Sequence, residues 1–145
     1  MIAYVDASAL LRVVLRQPNA LAEWAEIERG ISSSLITTES LRTLDRLRLR
    51  TQISDVEVAV RRQAILAVIG SLELIEVSAM VLERAAQPMP TELGTLDVIH
   101  LASALLWRES TGEDLTMATH DRALGLAALA HGLGVVGTNN LLGTL

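Results

Sequence analysis

Cysteine is missing from this chain of 145 residues, which removes disulfides, a thiolate nucleophile and any zinc site built on sulfur. Histidine is scarce, with only His100, His120 and His131, so a bound metal would rest mainly on carboxylate oxygens. Lysine is missing too. All 12 basic residues are arginine, whose planar fork makes paired hydrogen bonds to phosphate or carboxylate. Two tryptophans and one tyrosine offer few platforms for stacking unpaired bases, so any nucleic-acid recognition should rest on phosphates and shape. No apolar run approaches the roughly 20 residues of a bilayer span, and no basic stretch leads into a hydrophobic segment and cleavage site after Met1. A soluble, cytoplasmic protein without membrane contact is expected. The formal net charge of −5 argues against a non-specific nucleic-acid binder. It leaves a nuclease open, because acids gathered at a metal site contribute to such a total and a bound cation reverses the local sign.

What is present alternates. Ile2 to Val5 reads as a buried strand, Ala7 to Leu15 as a helix, and Asn19 as the cap of a second helix running to Glu28 and ended by Gly30. Ile31 to Ile36 reads as a strand, followed by a helix from Thr37 or Thr38 to about Arg50. Ser54-Asp55-Val56-Glu57 is a capping box that opens a helix to Gly70. Glu73 to Val77 is a third strand, Ser78 caps a short helix, and Pro88 and Pro90 mark a loop. A helix from about Thr95 to Ser110, a strand from Leu115 to Ala118, a helix from Arg122 to Ala130 and a strand from Leu133 to Val136 complete the pattern. Such alternation favours a parallel sheet covered on both faces, in one domain spanning 1–145. Gly132-Leu133-Gly134-Val135-Val136-Gly137 matches a dinucleotide-binding fingerprint by letter, but it follows a helix and contains a strand, the reverse of what that motif requires. Gly132 is better read as a left-handed helix terminator.

Ligands of parallel sheets bind beyond the carboxyl ends of the strands, and acids recur there. Asp6 follows the first strand, Glu39 the second and Asp121 the fourth, while Asp97 stands at the front of the Thr95 helix. Each has a structural alternative: Asp6 and Asp121 can cap helices, and Asp97 can sit favourably in a first turn. Thr95 is the better cap, however, and the apolar residues after Asp97 point its helix inward. Several carboxylates converging at one edge repel one another unless a cation compensates. Oxygen donors suit Mg²⁺ or Mn²⁺, and metal-assisted phosphodiester hydrolysis is the implied chemistry.

Val5-Asp6-Ala7-Ser8, Thr38-Glu39-Ser40-Leu41-Arg42, Thr95-Leu96-Asp97-Val98-Ile99-His100-Leu101-Ala102 and Thr119-His120-Asp121 together resemble the PIN-domain ribonucleases, specifically the VapC toxins of bacterial toxin-antitoxin pairs. The resemblance spans nearly the whole chain in order. It implies a three-layer α/β/α fold on a central, mostly parallel five-stranded sheet, and a magnesium-dependent endoribonuclease acting on RNA such as tRNA or ribosomal RNA. It further implies a VapB antitoxin as partner and a homodimer. On this likeness Asp6, Glu39, Asp97 and Asp121 form the catalytic quartet, with Asp6, Asp97 and Asp121 as metal ligands. Ser8 and Thr119 would hydrogen-bond the carboxylates, and Arg42 would pair with an acid of the site or yield to an antitoxin residue.

Asp114 precedes the strand that Asp121 follows, so it is read as a solvated strand-start residue. His100 is read as a packed or hydrogen-bonded core residue rather than a ligand. Arg42, Arg46 and Arg50 recur at helical spacing as an RNA stripe or a solvated face, and Trp24 as a contact or a core residue. The competing functions are a non-catalytic interaction protein on the same fold, and a PIN nuclease of nucleic-acid processing outside any toxin pair.

Overall fold

A computed structural model describes residues 1–138 and 141; the rest of the expected 1–145 domain, residues 139–140 and 142–145, lies outside the described residues. The first strand, β1 (Ile2–Val5), is the hydrophobic run that the sequence announces, and Ala3, Tyr4 and Val5 are fully buried. Its side chains alternate between two cores, as the period of a strand requires. Tyr4 joins one cluster with Ile31, Leu101, Leu105, Met117 and Leu124. Ala3 and Val5 join another with Leu10, Ile36, Leu44 and Ile65. The sheet therefore divides the molecule into three layers.

Helix α1 (Ala7–Val14) starts at Asp6, whose side chain accepts from the Ala9 N–H. The expected helix from Asn19 to Glu28 does not form; its place is taken by a short 3₁₀ turn, Ala22–Glu26, with Leu21 before it and no side-chain cap. Asn19 lies after Pro18 in the left-handed region at φ 58, which a helix-capping residue does not occupy. Gly30 ends nothing: it lies inside β2 (Arg29–Ser33), where a Cβ would stand 2.5 Å from Leu72 Cδ2.

Strand β2 stops earlier than expected because Leu35 and Ile36 turn into α2 (Leu35–Thr51), entered from Ser34, and Ile36 buries its side chain there. Helix α3 (Asp55–Gly70) begins at Ser54, which accepts from the Glu57 N–H, while the Glu57 carboxylate takes Arg61. Strand β3 (Glu73–Ile75) ends two residues short of the expected Val77, and α4 (Ala79–Ala85) is capped by Ser78 as expected. Helix α5 (Thr95–Thr111) is entered from Gly94 rather than capped by Thr95, and is closed by Gly112 at φ 71. Then come β4 (Thr116–Ala118), α6 (Arg122–Ala130) and β5 (Gly134–Val136).

The strands are ordered β3-β2-β1-β4-β5 and every pairing is parallel. The order reverses beside β1, so the chain leaves β1 toward one edge and reaches β4 and β5 on the other side. Such a switch point opens a crevice beyond the strand ends. Here it lies past Val5 and Ala118, with the Asp6 N–H still bonded to the Ala118 carbonyl at 3.2 Å. Helices α1, α2 and α3 pack together, and α5 lies against α4, α6 and β2. Among the described residues no helix is long and apolar enough to cross a membrane.

The glycines of the apparent nucleotide fingerprint have local work instead. Gly132 turns left-handed at φ 81 after α6. Gly137, at φ 92, brings its backbone so close to Thr119 that a Cβ would meet the Thr119 carbonyl oxygen at 2.4 Å. Gly137→Ala therefore combines a strained backbone with a clash, and should lower stability by about 1–3 kcal/mol in a urea titration.

Candidate active site

The crevice is built from the strand ends upward. Asp6, only 4% exposed, receives three donors. Its Oδ1 accepts from Ser8 Oγ at 2.7 Å and from the Ala9 N–H at 2.9 Å, and its Oδ2 accepts from Thr119 Oγ1 at 2.6 Å. The two hydroxyls are themselves oriented by backbone: Ser8 Oγ accepts from the His120 N–H at 2.9 Å, and Thr119 Oγ1 from the Asp121 N–H at 3.0 Å. Ser8 and Thr119 thus tie the end of β1 to the turn after β4. Asp121 caps α6 through its Oδ1, which accepts from the Leu124 N–H at 2.8 Å. For Asp6 and Asp121 capping and site membership coincide, since a cap uses only part of a carboxylate's acceptor capacity.

Asp97 occupies the first turn of α5, half-buried. Burial pushes its carboxyl above the ordinary carboxylate range, and the negative charges of Asp121, Asp6 and Glu39 push it further, with His100 opposing. Asp97 is therefore within the field of the other three acids. Asp6 is also raised by burial, against the pull of the donors from Thr119, Ser8 and the Ala9 backbone.

Glu39 enters from α2 and is held by a residue of α5. The His100 Nε2 bonds to Glu39 Oε1, and its Nδ1 stands 2.8 Å from the Tyr4 hydroxyl. His100 is 1% exposed and Tyr4 fully buried. Burial drives the Tyr4 phenol far above its ordinary range, so the hydroxyl keeps its proton and donates it to Nδ1. In the neutral ring this leaves Nε2–H to donate to Glu39. His100 is a hydrogen-bonded core residue, and it is the one that orients an acid of the site. Sequence reading missed the Tyr4–His100–Glu39 chain; the only available signal was a histidine one helical turn after Asp97.

Other expected groups lie elsewhere. Arg42, 61% exposed along its side chain, pairs with Asp45 at 3.0 Å rather than with an acid of the site. Arg48 grips the other oxygen of Asp45 at 3.1 Å, so the arginine stripe of α2 is partly neutralised on its own helix. Asp114 is exposed ahead of β4. Trp24 is half-buried against the core beneath α1, and Trp107 is buried with its Nε1–H on Glu73.

Among the described residues no three acidic or histidine side chains are gathered closely enough to grip one ion together, so Asp6, Asp97 and Asp121 do not form a closed cage. Asp6 Oδ2, with one donor, keeps a lone pair, and Asp97 is raised by burial and then by the neighbouring acids. One or two direct carboxylates with water completing the shell is the arrangement Mg²⁺ prefers. The residues present fit such an ion.

Comparison with known proteins agrees with this geometry. A family model described as the PIN domain matches residues 3–140. Ribonuclease VapC46 of Mycobacterium tuberculosis is 32% identical over 137 residues, which cover 92% of this chain and 95% of that protein. Among solved structures, the crystal structure of PAE2754 from Pyrobaculum aerophilum superposes with a TM-score of 0.62 over 93% of this chain and 83% of that one. At 23% identity that second likeness concerns the fold alone.

Two outcomes follow from the electrostatics and the buried chain. A carboxyl whose pKa is raised on folding holds its proton longer than the unfolded chain does, so stability is lost as pH rises from about 4 through the raised value. Asp97→Asn should accordingly raise the thermal midpoint at neutral pH in chelator, the gain should vanish below about pH 4, and added MgCl₂ should stabilise the wild type more than the variant. Tyr4→Phe leaves the buried His100 Nδ1 without its donor and should cost about 1–3 kcal/mol in chemical denaturation.

Proposed function

The chain belongs to the PIN-domain family and is of its VapC type; from that premise we propose that it is a Mg²⁺-dependent endoribonuclease toxin, silenced in the cytoplasm by a VapB-type antitoxin. The observation that carries the reading is the gathering of Asp6, Glu39 and Asp121 around half-buried Asp97 at the sheet's switch point, near enough that their charges add to burial in raising the Asp97 carboxyl. A binding module gains nothing from uncompensated negative charge at its strand ends. A phosphodiesterase does, because that charge recruits the cation it needs.

In this reading Asp6, through the open lone pair of Oδ2, Asp97 and Asp121 would hold the ion. A divalent ion there supplies Lewis-acid polarisation of a phosphoryl oxygen and a lowered pKa for water in its shell. Ser8 and Thr119 keep the Asp6 carboxylate turned toward the crevice and hold its lone pairs in place. Glu39, with Oε1 fixed by His100, has its second oxygen for the attacking water. The water gives a proton to Glu39 as its oxygen bonds to phosphorus, the bond to the leaving ribose oxygen breaks, and that oxygen takes a proton from solvent water. Structured RNAs such as tRNA or ribosomal RNA are the proposed substrates, and two copies of the chain the proposed assembly.

Incubating total tRNA and ribosomal RNA with the protein should give discrete fragments in Mg²⁺ and none in chelator. Asp97→Asn should slow cleavage by at least about 100-fold, the scale of losing a preorganised electrostatic element. Equal cleavage under all three conditions would reject the mechanism.

A further inference from the structure

Beside the acids the surface falls into a recess with two lobes. One, of about 330 Å³, is walled by Arg12, Asn19, His120, Arg122, Gly137 and Thr138. The other, of about 220 Å³, shares four of these residues and extends past Leu21 to Glu23. The first lobe carries two guanidiniums and no carboxylate in its wall, although the chain as a whole is acidic.

The recess adjoins the site through two elements. His120 stands between Thr119 and Asp121, and its N–H bonds to Ser8 Oγ at 2.9 Å. Arg12 lies one turn after Ser8 on α1, about 5.4 Å along the axis. A group seated in the recess and a group at the acids are thus close enough to belong to one strand.

The wall also has unused capacity. Five other arginines, Arg29, Arg42, Arg48, Arg61 and Arg84, grip carboxylates. Half-buried Arg12 instead meets the Asn19 carbonyl at 3.5 Å, at the outer limit of a hydrogen bond. His120 gives its Nδ1–H to the Gly137 carbonyl at 2.7 Å and so braces the wall without adding a donor to it. The weakly engaged guanidinium of Arg12, in a wall without a carboxylate, suits an anion with several acceptor oxygens.

We propose that this recess seats a backbone phosphate of the RNA, next along the strand from the phosphate at the acids, with Arg12 as its principal anchor. The proposal rests on the ribonuclease reading above. The acids repel a polyanion wherever a cation does not cover them, so a cationic seat beside them offsets that repulsion and fixes which phosphodiester bond lies over Asp6 and Asp97. A carboxylate of a partner protein is the competing occupant.

The test uses the full chain carrying Asp97→Asn and measures affinity for a single-stranded RNA oligonucleotide across a salt series by fluorescence anisotropy. Adding Arg12→Gln should weaken binding about five- to tenfold and flatten the salt slope by about 0.7–1, the loss of one phosphate contact. Arg12→Lys should keep the slope while losing part of the affinity, because it retains charge without the fork. Arg62→Gln, on the exposed face of α3, should change neither. Unaltered affinity and slope in Arg12→Gln, or an equal loss in Arg62→Gln, overturns the proposal, and so does an Arg12→Gln chain that binds normally while only partner binding is lost. Cleavage of tRNA and ribosomal RNA by the wild type is read in parallel. Cleavage without an Arg12 effect on binding removes the phosphate seat and leaves the nuclease, whereas absence of both cleavage and binding in the wild type removes both.

Discussion

One hydrogen-bonded carboxylate holds the functional end of this molecule together. Asp6 is sealed at the junction of β1 and β4, where an unpaired charge would be costly. Three donors offset that cost, and two of them are hydroxyls aligned by the backbone of the Thr119–Asp121 turn. Each donor polarises the next in such a chain. The same contacts cap α1, join the ends of two strands and set the direction of the lone pair left open on Oδ2.

The rest of the site works against the fold. Asp97, half-buried among acids, carries a carboxyl whose ionisation is disfavoured by its neighbours. It stays there because the helix behind it has no alternative: Leu101, Ala102, Ala104 and Leu105 are fully buried, and moving the front of α5 would expose that face. Glu39 is secured differently, through a histidine anchored to the central strand by Tyr4. Apolar burial on both sides of the sheet thus holds charges at an edge where they repel, and in the proposed reading a divalent cation would relieve that repulsion.

Much of this was legible in order along the chain. The run Ile2 to Val5, the Ser54 box, the Ser78 cap and the glycine after α6 are local signals, and local energetics decide them. Reading failed where local preference and tertiary packing disagreed. Asn19 offers a good helix cap by type, yet follows Pro18 in a left-handed turn, and the segment to Glu28 crosses the sheet edge with one 3₁₀ turn. Leu35 and Ile36 are as apolar as the strand before them, but only their place beyond Ser33 makes them helical. Arg42 followed Glu39 at a helical spacing, and Asp45, at the same spacing further on, took its charge.

The sequence by itself determined the alternation of strands and helices and the placing of Asp6 and Asp121 just past strand ends, because periodicity and the strand-end rule act within a few residues. Tertiary structure alone decided the strand order that opens the crevice beside β1, the pairing of Thr119 with Asp6 across 113 positions, and the reach from His100 to Glu39 across 61. Contacts at such separations depend on how whole layers pack, and no local pattern carries that information.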